Sequence, residues 1–224
     1  NIKINSLTFE ELQKYNIESL KPETKYAKRF KNQKPAKGER IPKLTDFLKL
    51  VNEDKYKDVF LNLEIKSTPI KDNLTPNPEE MVSLILKDIK EHKLEDRTLI
   101  TSYDWRILYE LKKQNSNILR GFITLQQGLT TTGKNIYENS PWMVKNYPLE
   151  ELFLLPNIIK SLEGHVWSVF YRDVTKQNVE LAHKHGLATC VWTVNREQDI
   201  IRMIEYGVDG IITDYPKKVQ EICK

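Results

Sequence analysis

Apolar positions along the chain follow two alternating periods. Runs that are continuously apolar or apolar at every second residue predict buried strands, and apolar residues at every third or fourth position predict amphipathic helices. The predicted strands span residues 58–66, 97–103, 118–125, 165–171, 187–195 and 208–214. Each is followed by a predicted helix or, after the third strand, by an irregular segment. Such alternation with short connections predicts parallel strands covered by helices, an α/β fold.

Residues at the predicted helix ends support this organisation. Asp104 and Thr175 precede helical segments and can cap them, whereas Gly186 and Gly207 follow helical segments and can end them. Residues 126–163 break the alternation, with Gly, Thr, Asn and Pro early and an apolar stretch at the end. We therefore predict a single domain over residues 1–224 with an insert at about 126–163, and we expect that insert to shape ligand preference.

The first predicted strand has one apolar face and one face that turns polar at its C-terminal end. Side chains alternate in a strand, so Asn62, Glu64 and Lys66 share the face opposite Leu61 and Leu63. An acid and an amine thus lie side by side at the end of a buried strand. This pattern fits a binding site for a cation and an anion, and it also fits a plain ion pair.

Other predicted strands also end in polar or aromatic residues. These residues are Ser102, Tyr103, Asp104, Trp192, Asn195 and Asp214. A (β/α)₈ barrel builds its active site from the C-terminal ends of several strands, which favours this architecture. Neither a GxGxxG nor a P-loop sequence follows any predicted strand, so the common nucleotide-binding sheets lack their best signal. Six strands alone do not close an eight-stranded barrel.

Composition places the chain among ordinary globular proteins. Of its residues, 39% are hydrophobic and 29% are charged, with a net charge of +4. No apolar run approaches the roughly 18 residues of a transmembrane helix. The basic stretch at residues 21–43 lacks the interleaved aromatic residues that stack on bases, so we predict a solvated loop and no nucleic-acid partner. Cys190 and Cys223 give no disulfide framework or metal-site spacing.

Five segments in the right order and spacing resemble the glycerophosphodiester phosphodiesterase family. They read IPKLTDFL, LNLEIK, LITSYDW, GLATCVWTVN and YGVDGIITDYP, and the similarity extends over about residues 40–220. The resemblance implies a TIM (β/α)₈ barrel, of which this chain would supply about strands 3 to 8. It also implies hydrolysis of glycerophosphodiesters to glycerol 3-phosphate and an alcohol.

The resemblance also implies roles for particular residues. Glu64 would be a ligand of a divalent metal, Ca²⁺ or Mg²⁺, and Lys66 would be the catalytic residue that reaches the phosphate. Trp192 and Tyr103 would contact the substrate, although an inward Trp192 equally fits simple packing. Asn195 also fits a cap of the following helix. For Asp214, which precedes the last helix, capping and a structural hydrogen bond compete with chemistry.

The sequence departs from the family where the first two barrel strands would be. The family carries there a His-Arg-Gly segment, a Glu-x-Asp metal pair and a second histidine, and no predicted strand here contains them. His92, His183 and His185 fall on or just after predicted surface helices, and His165 opens a strand at the end away from an active site. We therefore expect the chain to lack the first two barrel strands, and to be inactive alone.

Several alternatives follow from this departure. An upstream segment, a partner polypeptide or an oligomer would complete the barrel. A catalytically inactive remnant or phosphodiester-binding partner protein is the alternative function, and another phosphate-handling barrel enzyme is a third. The sequence does not distinguish a cytoplasmic from a periplasmic or secreted location.

Overall fold

The structure is a computed structural model, and the described part of the chain excludes a few short segments. The described residues are 2–71, 74–114, 117–127 and 133–224. Residues 128–132 of the predicted insert lie outside them. Contacts along the chain define two compact units, Asn1–Asp58 and Val59–Lys224.

The unit Asn1–Asp58 consists of short helical elements. They are a 3₁₀ turn at Ile4–Ser6, α1 at Phe9–Leu12, α2 at Lys25–Arg29, α3 at Leu44–Val51 and a 3₁₀ turn at Asp54–Tyr56. Thr8 caps α1 in a reciprocal capping box with Glu11. The loop predicted for the basic stretch is interrupted by α2. Thr24 caps this helix by accepting the Ala27 N–H at 3.1 Å.

The unit Val59–Lys224 contains a parallel sheet in which six described strands lie side by side in chain order. The strands are β1 (Leu61–Ile65), β2 (Thr98–Ser102), β3 (Leu119–Thr124), β4 (Val166–Phe170), β5 (Ala188–Trp192) and β6 (Gly210–Ile211). The helices are α4 (Pro78–Glu91), α5 (Trp105–Lys113), α6 (Leu155–Ser161), α7 (Lys176–Lys184), α8 (Glu197–Glu205) and α9 (Pro216–Ile222), with 3₁₀ turns at Glu95–Arg97 and Glu151–Leu154. The predicted α/β alternation is confirmed.

Strand β6 is much shorter than the predicted strand at 208–214. It pairs with β5 through Cys190 opposite Gly210 and Val191 opposite Ile211. Beyond this pairing the chain still makes single hydrogen bonds, since the Val194 N–H donates to the Ile212 carbonyl at 2.9 Å. The prediction identified the right segment, but β6 lies at the end of the described sheet and regular pairing covers two residues.

The two faces of the sheet differ in character. On the helical side, Trp105 is fully buried and packs edge-on against Phe122 with ring centroids 5.0 Å apart. On the opposite face, Gly121 of β3 lies beside Thr101 of β2. A Cβ on Gly121 would lie only 2.6 Å from Cγ2 of Thr101, so a larger residue would not fit there without displacement. The absence of a side chain at Gly121 therefore makes room for Thr101 on this face.

None of the described helices combines the length and the hydropathy that a bilayer-spanning segment needs.

Candidate active site

A cavity of about 630 Å³ opens at the C-terminal ends of the strands, within the unit Val59–Lys224. Side chains from β1 to β5 and from the segments after them form its wall. Among the described lining residues, Glu64 and Lys66 carry the charges, and Tyr103, Trp142 and Trp192 supply aromatic rings. A concave site with mostly apolar walls and a few polar groups is typical of a small-molecule pocket.

Glu64 and Lys66 form an ion pair in the cavity wall, with Lys66 Nζ donating to Glu64 Oε1. Both lie on the face that the alternation in β1 predicts, together with Asn62, which accepts the Thr101 hydroxyl at 2.9 Å. The Glu64 side chain is 40% exposed and the Lys66 side chain is 78% exposed. An exposed pair of this kind contributes only about 0–1 kcal/mol to folding. The structure thus shows an ion pair between Glu64 and Lys66. Metal binding by Glu64 and phosphate binding by Lys66 stay predictions.

Ser102 and Asp104 do not line the cavity, although the sequence places them at the same strand end. The Ser102 hydroxyl donates to the Ile65 carbonyl at 2.8 Å and accepts the Asp104 N–H at 3.1 Å. Asp104 is fully buried and caps α5 by accepting the Arg106 N–H at 3.2 Å. Its ion pair with Arg106 raises the pKa of that guanidinium. The predicted cap is confirmed.

Tyr103 lies in the cavity wall between β2 and the insert. Its hydroxyl donates to the carbonyl of Gly133, and the ring meets that of Trp142 edge-on at 5.2 Å. Burial raises the pKa of the Tyr103 phenol, so the hydroxyl stays protonated near neutral pH. Tyr103 can therefore contact a ligand as a neutral aromatic surface.

Trp142 is a cavity residue that the sequence did not identify. Its carbonyl accepts the Trp105 N–H at 2.9 Å, which ties the insert to the start of α5. Nearby, the fully buried Asn135 donates to the carbonyls of Tyr103 at 3.0 Å and Ile123 at 2.8 Å. These hydrogen bonds from the Asn135 side chain anchor the insert against the strand ends. Trp142 thus adds an aromatic wall whose position depends on the insert.

Trp192 lies at the end of β5 and lines the cavity. Its indole N–H donates to the Ser168 carbonyl at 3.1 Å, and its ring packs against Phe170 at 5.3 Å. The packing and pocket interpretations are both compatible with this position, because one part of the ring is held by β4 while another part faces the cavity. A substrate contact for Trp192 stays a prediction.

Asn195 does not cap helix α8, so that expectation is wrong. The cap position is Arg196, and the Asn195 side chain is engaged elsewhere. Its amide donates to Asp214 at 2.7 Å and its oxygen accepts the Thr213 hydroxyl at 3.0 Å. Asp214 likewise does not cap α9, whose cap position is Tyr215. These bonds join the segments that follow β5 and β6, which favours the structural alternative for Asp214.

The four histidines lie away from the cavity wall. His165, before β4, accepts the Arg120 N–H at 3.2 Å, and burial lowers the pKa of its imidazole. His183 pairs with Asp209 at 2.8 Å. Among the lining residues described here, no imidazole is in place to act as a general acid or base.

Cys190 and Cys223 are free thiols. Burial raises the pKa of Cys190 to about 11, so this thiol stays protonated near neutral pH and is a poor nucleophile.

The oxygen donors of the described cavity wall fall short of what the expected Ca²⁺ or Mg²⁺ needs. Both ions prefer at least six oxygen ligands, usually with several carboxylates. The cavity wall offers one carboxylate, Glu64, and the described residues contain no group of three or more His, Cys, Asp or Glu that could hold a metal ion. These residues alone do not form a metal site.

Comparisons with known proteins agree with the fold and with the family that the sequence resembles. The sequence matches the glycerophosphoryl diester phosphodiesterase family over residues 2–218. A glycerophosphodiester phosphodiesterase from Caldanaerobacter subterraneus is 32% identical over 187 residues, which cover 84% of this chain and 63% of that protein. The chain therefore spans less than two thirds of the length of this curated relative.

Solved structures of phosphodiesterases have a similar fold. The crystal structure of a putative glycerophosphoryl diester phosphodiesterase from Silicibacter pomeroyi matches with a TM-score of 0.78 and 32% identity, covering 96% of this chain and 67% of that one. A phosphodiesterase from Oleispira antarctica, solved with the product sn-glycerol-3-phosphate, matches with a TM-score of 0.59 and 20% identity, covering 81% and 61%. The second match supports the fold alone. This chain belongs to the glycerophosphoryl diester phosphodiesterase family.

Proposed function

We propose that the whole protein hydrolyses glycerophosphodiesters to glycerol 3-phosphate and an alcohol, and that a divalent cation is required. The observation that carries this proposal is the position of Glu64 and Lys66 in one cavity at the strand ends. The ammonium of Lys66 would balance charge on the phosphoryl group, and Glu64 would give one oxygen ligand to Ca²⁺ or Mg²⁺. Tyr103 and Trp192 would contact the substrate.

The proposal requires groups that the described cavity wall does not supply. Family chemistry uses two histidines as acid and base and further carboxylates on the metal. We propose that residues outside this sequence provide them, that the strands described here correspond to about strands 3 to 8 of the barrel, and that an upstream segment or a partner chain supplies the rest. The shorter span of this chain relative to its relatives is consistent with that proposal.

Release of glycerol 3-phosphate from glycerophosphocholine and glycerophosphoethanolamine tests the activity. We expect the whole protein to release it, EDTA to abolish release, and added Ca²⁺ or Mg²⁺ to restore it, because the cation stabilises charge on the diester. A glycerol-3-phosphate dehydrogenase assay measures the product.

The 224-residue chain alone provides the control for this experiment. We expect it to give no product above background. Turnover by this chain would contradict the requirement for further residues, and turnover by the whole protein in EDTA would contradict the cation requirement. Binding of a diester without any hydrolysis by the whole protein would favour a phosphodiester-binding protein instead.

Replacement of Lys66 by alanine is expected to lower kcat with little effect on folding. We expect a loss of at least roughly tenfold, because a positive charge that stabilises the transition state is removed. The exposed ion pair itself contributes little to stability. Steady-state kinetics and thermal unfolding of the same preparation separate the two effects.

Lys87→Ala is a matched control, since Lys87 forms an exposed ion pair with Glu91 on α4, at 3.8 Å. It should keep full activity. A Lys66→Ala protein that is less stable but fully active per folded molecule would favour the plain ion pair.

A further inference from the structure

Lys66 lies between two residues that are each held by a hydrogen bond, one from β2 and one to the residue that caps α5. The regular pairing of β1 with β2 ends at Ile65 opposite Ser102, so Lys66 is the first residue beyond the ladder. On one side of it, the Ile65 carbonyl accepts the Ser102 hydroxyl at 2.8 Å. On the other side, the Ser67 hydroxyl donates to Asp104 Oδ2 at 2.7 Å. Lys66 therefore leaves a strand end that is fixed both before and after it.

Asp104 is a fully buried carboxylate with a complete set of partners. Arg106 donates to it through Nε at 2.9 Å and through Nη2 at 2.7 Å, and the Arg106 N–H adds a third contact at 3.2 Å. Charge-assisted and bidentate contacts of this kind hold their geometry better than neutral ones. The carboxylate that accepts the Ser67 hydroxyl is therefore itself rigidly placed.

The orientation of the Ser67 hydroxyl limits what it does at the cavity wall. Its proton points to Asp104, so the Ser67 oxygen can offer only lone pairs to a ligand. Lone pairs repel the oxygens of a phosphodiester. Ser67 is thus unsuited to donate to the phosphate, and its contribution has to pass through the backbone it fixes.

We propose that Ser67 and Asp104 are positioning residues that aim Lys66 at the phosphate of the ligand. This inference rests on the role proposed above for Lys66. A lysine side chain has four rotatable bonds, and fixing its backbone removes part of the freedom that binding would otherwise have to restrict. Ser102 completes the arrangement from the Ile65 side.

A double-mutant cycle between Ser67 and Lys66 tests the proposal. We expect Ser67→Ala to weaken binding of sn-glycerol 3-phosphate and to lower kcat, each by about three- to tenfold, because one hydrogen bond to a charged group is lost. In the Lys66→Ala background the same change should have almost no effect. Isothermal titration calorimetry with sn-glycerol 3-phosphate and steady-state kinetics give two independent readouts on the whole protein.

Two further variants separate positioning from general destabilisation. Ser67→Thr keeps the hydroxyl and should restore most of the binding and rate. Ser83→Ala removes a hydroxyl that bonds to the Glu79 carbonyl on α4 at 2.8 Å, away from the cavity, and should change neither. Thermal unfolding of each variant shows whether the protein remains folded.

Each outcome decides the proposal. Equal losses from Ser67→Ala in both backgrounds would show that Ser67 acts independently of Lys66 and would overturn it. Unchanged binding and rate in Ser67→Ala, or unchanged ligand binding in Lys66→Ala, would also overturn it. Coupled losses in binding by a protein that hydrolyses no diester would support the positioning role while refuting the proposed hydrolysis.

Discussion

Replacing Glu64 with glutamine is expected to remove most glycerol 3-phosphate release by the whole protein while leaving its fold intact. Glutamine keeps the size of the side chain and one carbonyl oxygen, but it loses the negative charge that a hard divalent cation requires. We expect the rate to fall roughly a hundredfold or more, the scale seen when one group that stabilises transition-state charge is lost. The concentration of Ca²⁺ or Mg²⁺ needed for half-maximal activity should rise as well.

The exposed position of Glu64 makes this variant informative about function. The contact with Lys66 contributes little to folding, so urea unfolding should give nearly the same free energy for both proteins. Glu180→Gln changes an exposed glutamate on α7 and serves as the matched control. Normal turnover by Glu64→Gln at low cation concentration would refute the metal role and leave the ion pair as the explanation of the contact.

The sequence predicted most of the fold because the elements of the second unit carry strong local signals. Strands β1 to β5 lie within segments that are apolar throughout or at every second residue. The helices between them begin at caps such as Asp104 and Thr175, both of which accept the expected backbone N–H. Gly186 and Gly207 have positive φ angles of 69° and 77° at the ends of two helices, as their positions in the sequence suggest. Helix α2 was missed because a five-residue helix is too short to show an apolar period.

The candidate site was only partly predictable. The strand ends gave a wider set of candidates, from which the family resemblance selected Glu64, Lys66, Tyr103 and Trp192. All four line the cavity. Trp142 was missed because it lies in the insert, where no regular spacing of apolar residues predicts which side chains face the cavity. Its place depends on hydrogen bonds between segments far apart in the chain.

The alternation of side chains in a strand was enough to predict that Ser102 and Tyr103, at the end of β2, lie on opposite faces of the sheet. Thr101 and Tyr103 face the cavity, whereas Ser102, between them, faces the helical side and bonds to the Ile65 carbonyl. The same alternation in β1 places Asn62 beside Glu64. The period of two was therefore sufficient to find Asn62 and Thr101 once Glu64 in β1 and Tyr103 after β2 were placed on the cavity face.

Replacing Trp105 with alanine is expected to cause the largest loss of stability among the changes considered. Trp105 is fully buried at the start of α5, packs edge-on against Phe122, and donates its indole N–H to the Ile123 carbonyl at 3.1 Å. Removing a buried tryptophan leaves a large cavity and costs about 3–5 kcal/mol of unfolding free energy. The lost indole hydrogen bond is a smaller part of this cost, because the Ile123 carbonyl still accepts the Asn135 amide at 2.8 Å.

Trp105→Phe provides the graded comparison for this prediction. It keeps an aromatic ring against Phe122 but loses the indole donor, so we expect a smaller loss, roughly 1–2 kcal/mol. Urea unfolding measured by far-UV circular dichroism gives both values. A loss below about 1 kcal/mol for Trp105→Ala would contradict the packing described here, because a residue with such contacts cannot be removed from a close-packed core at so small a cost. The backbone N–H of Trp105 also donates to the Trp142 carbonyl. A shift of α5 in the alanine variant should therefore move Trp142 in the cavity wall and lower ligand affinity in the molecules that remain folded.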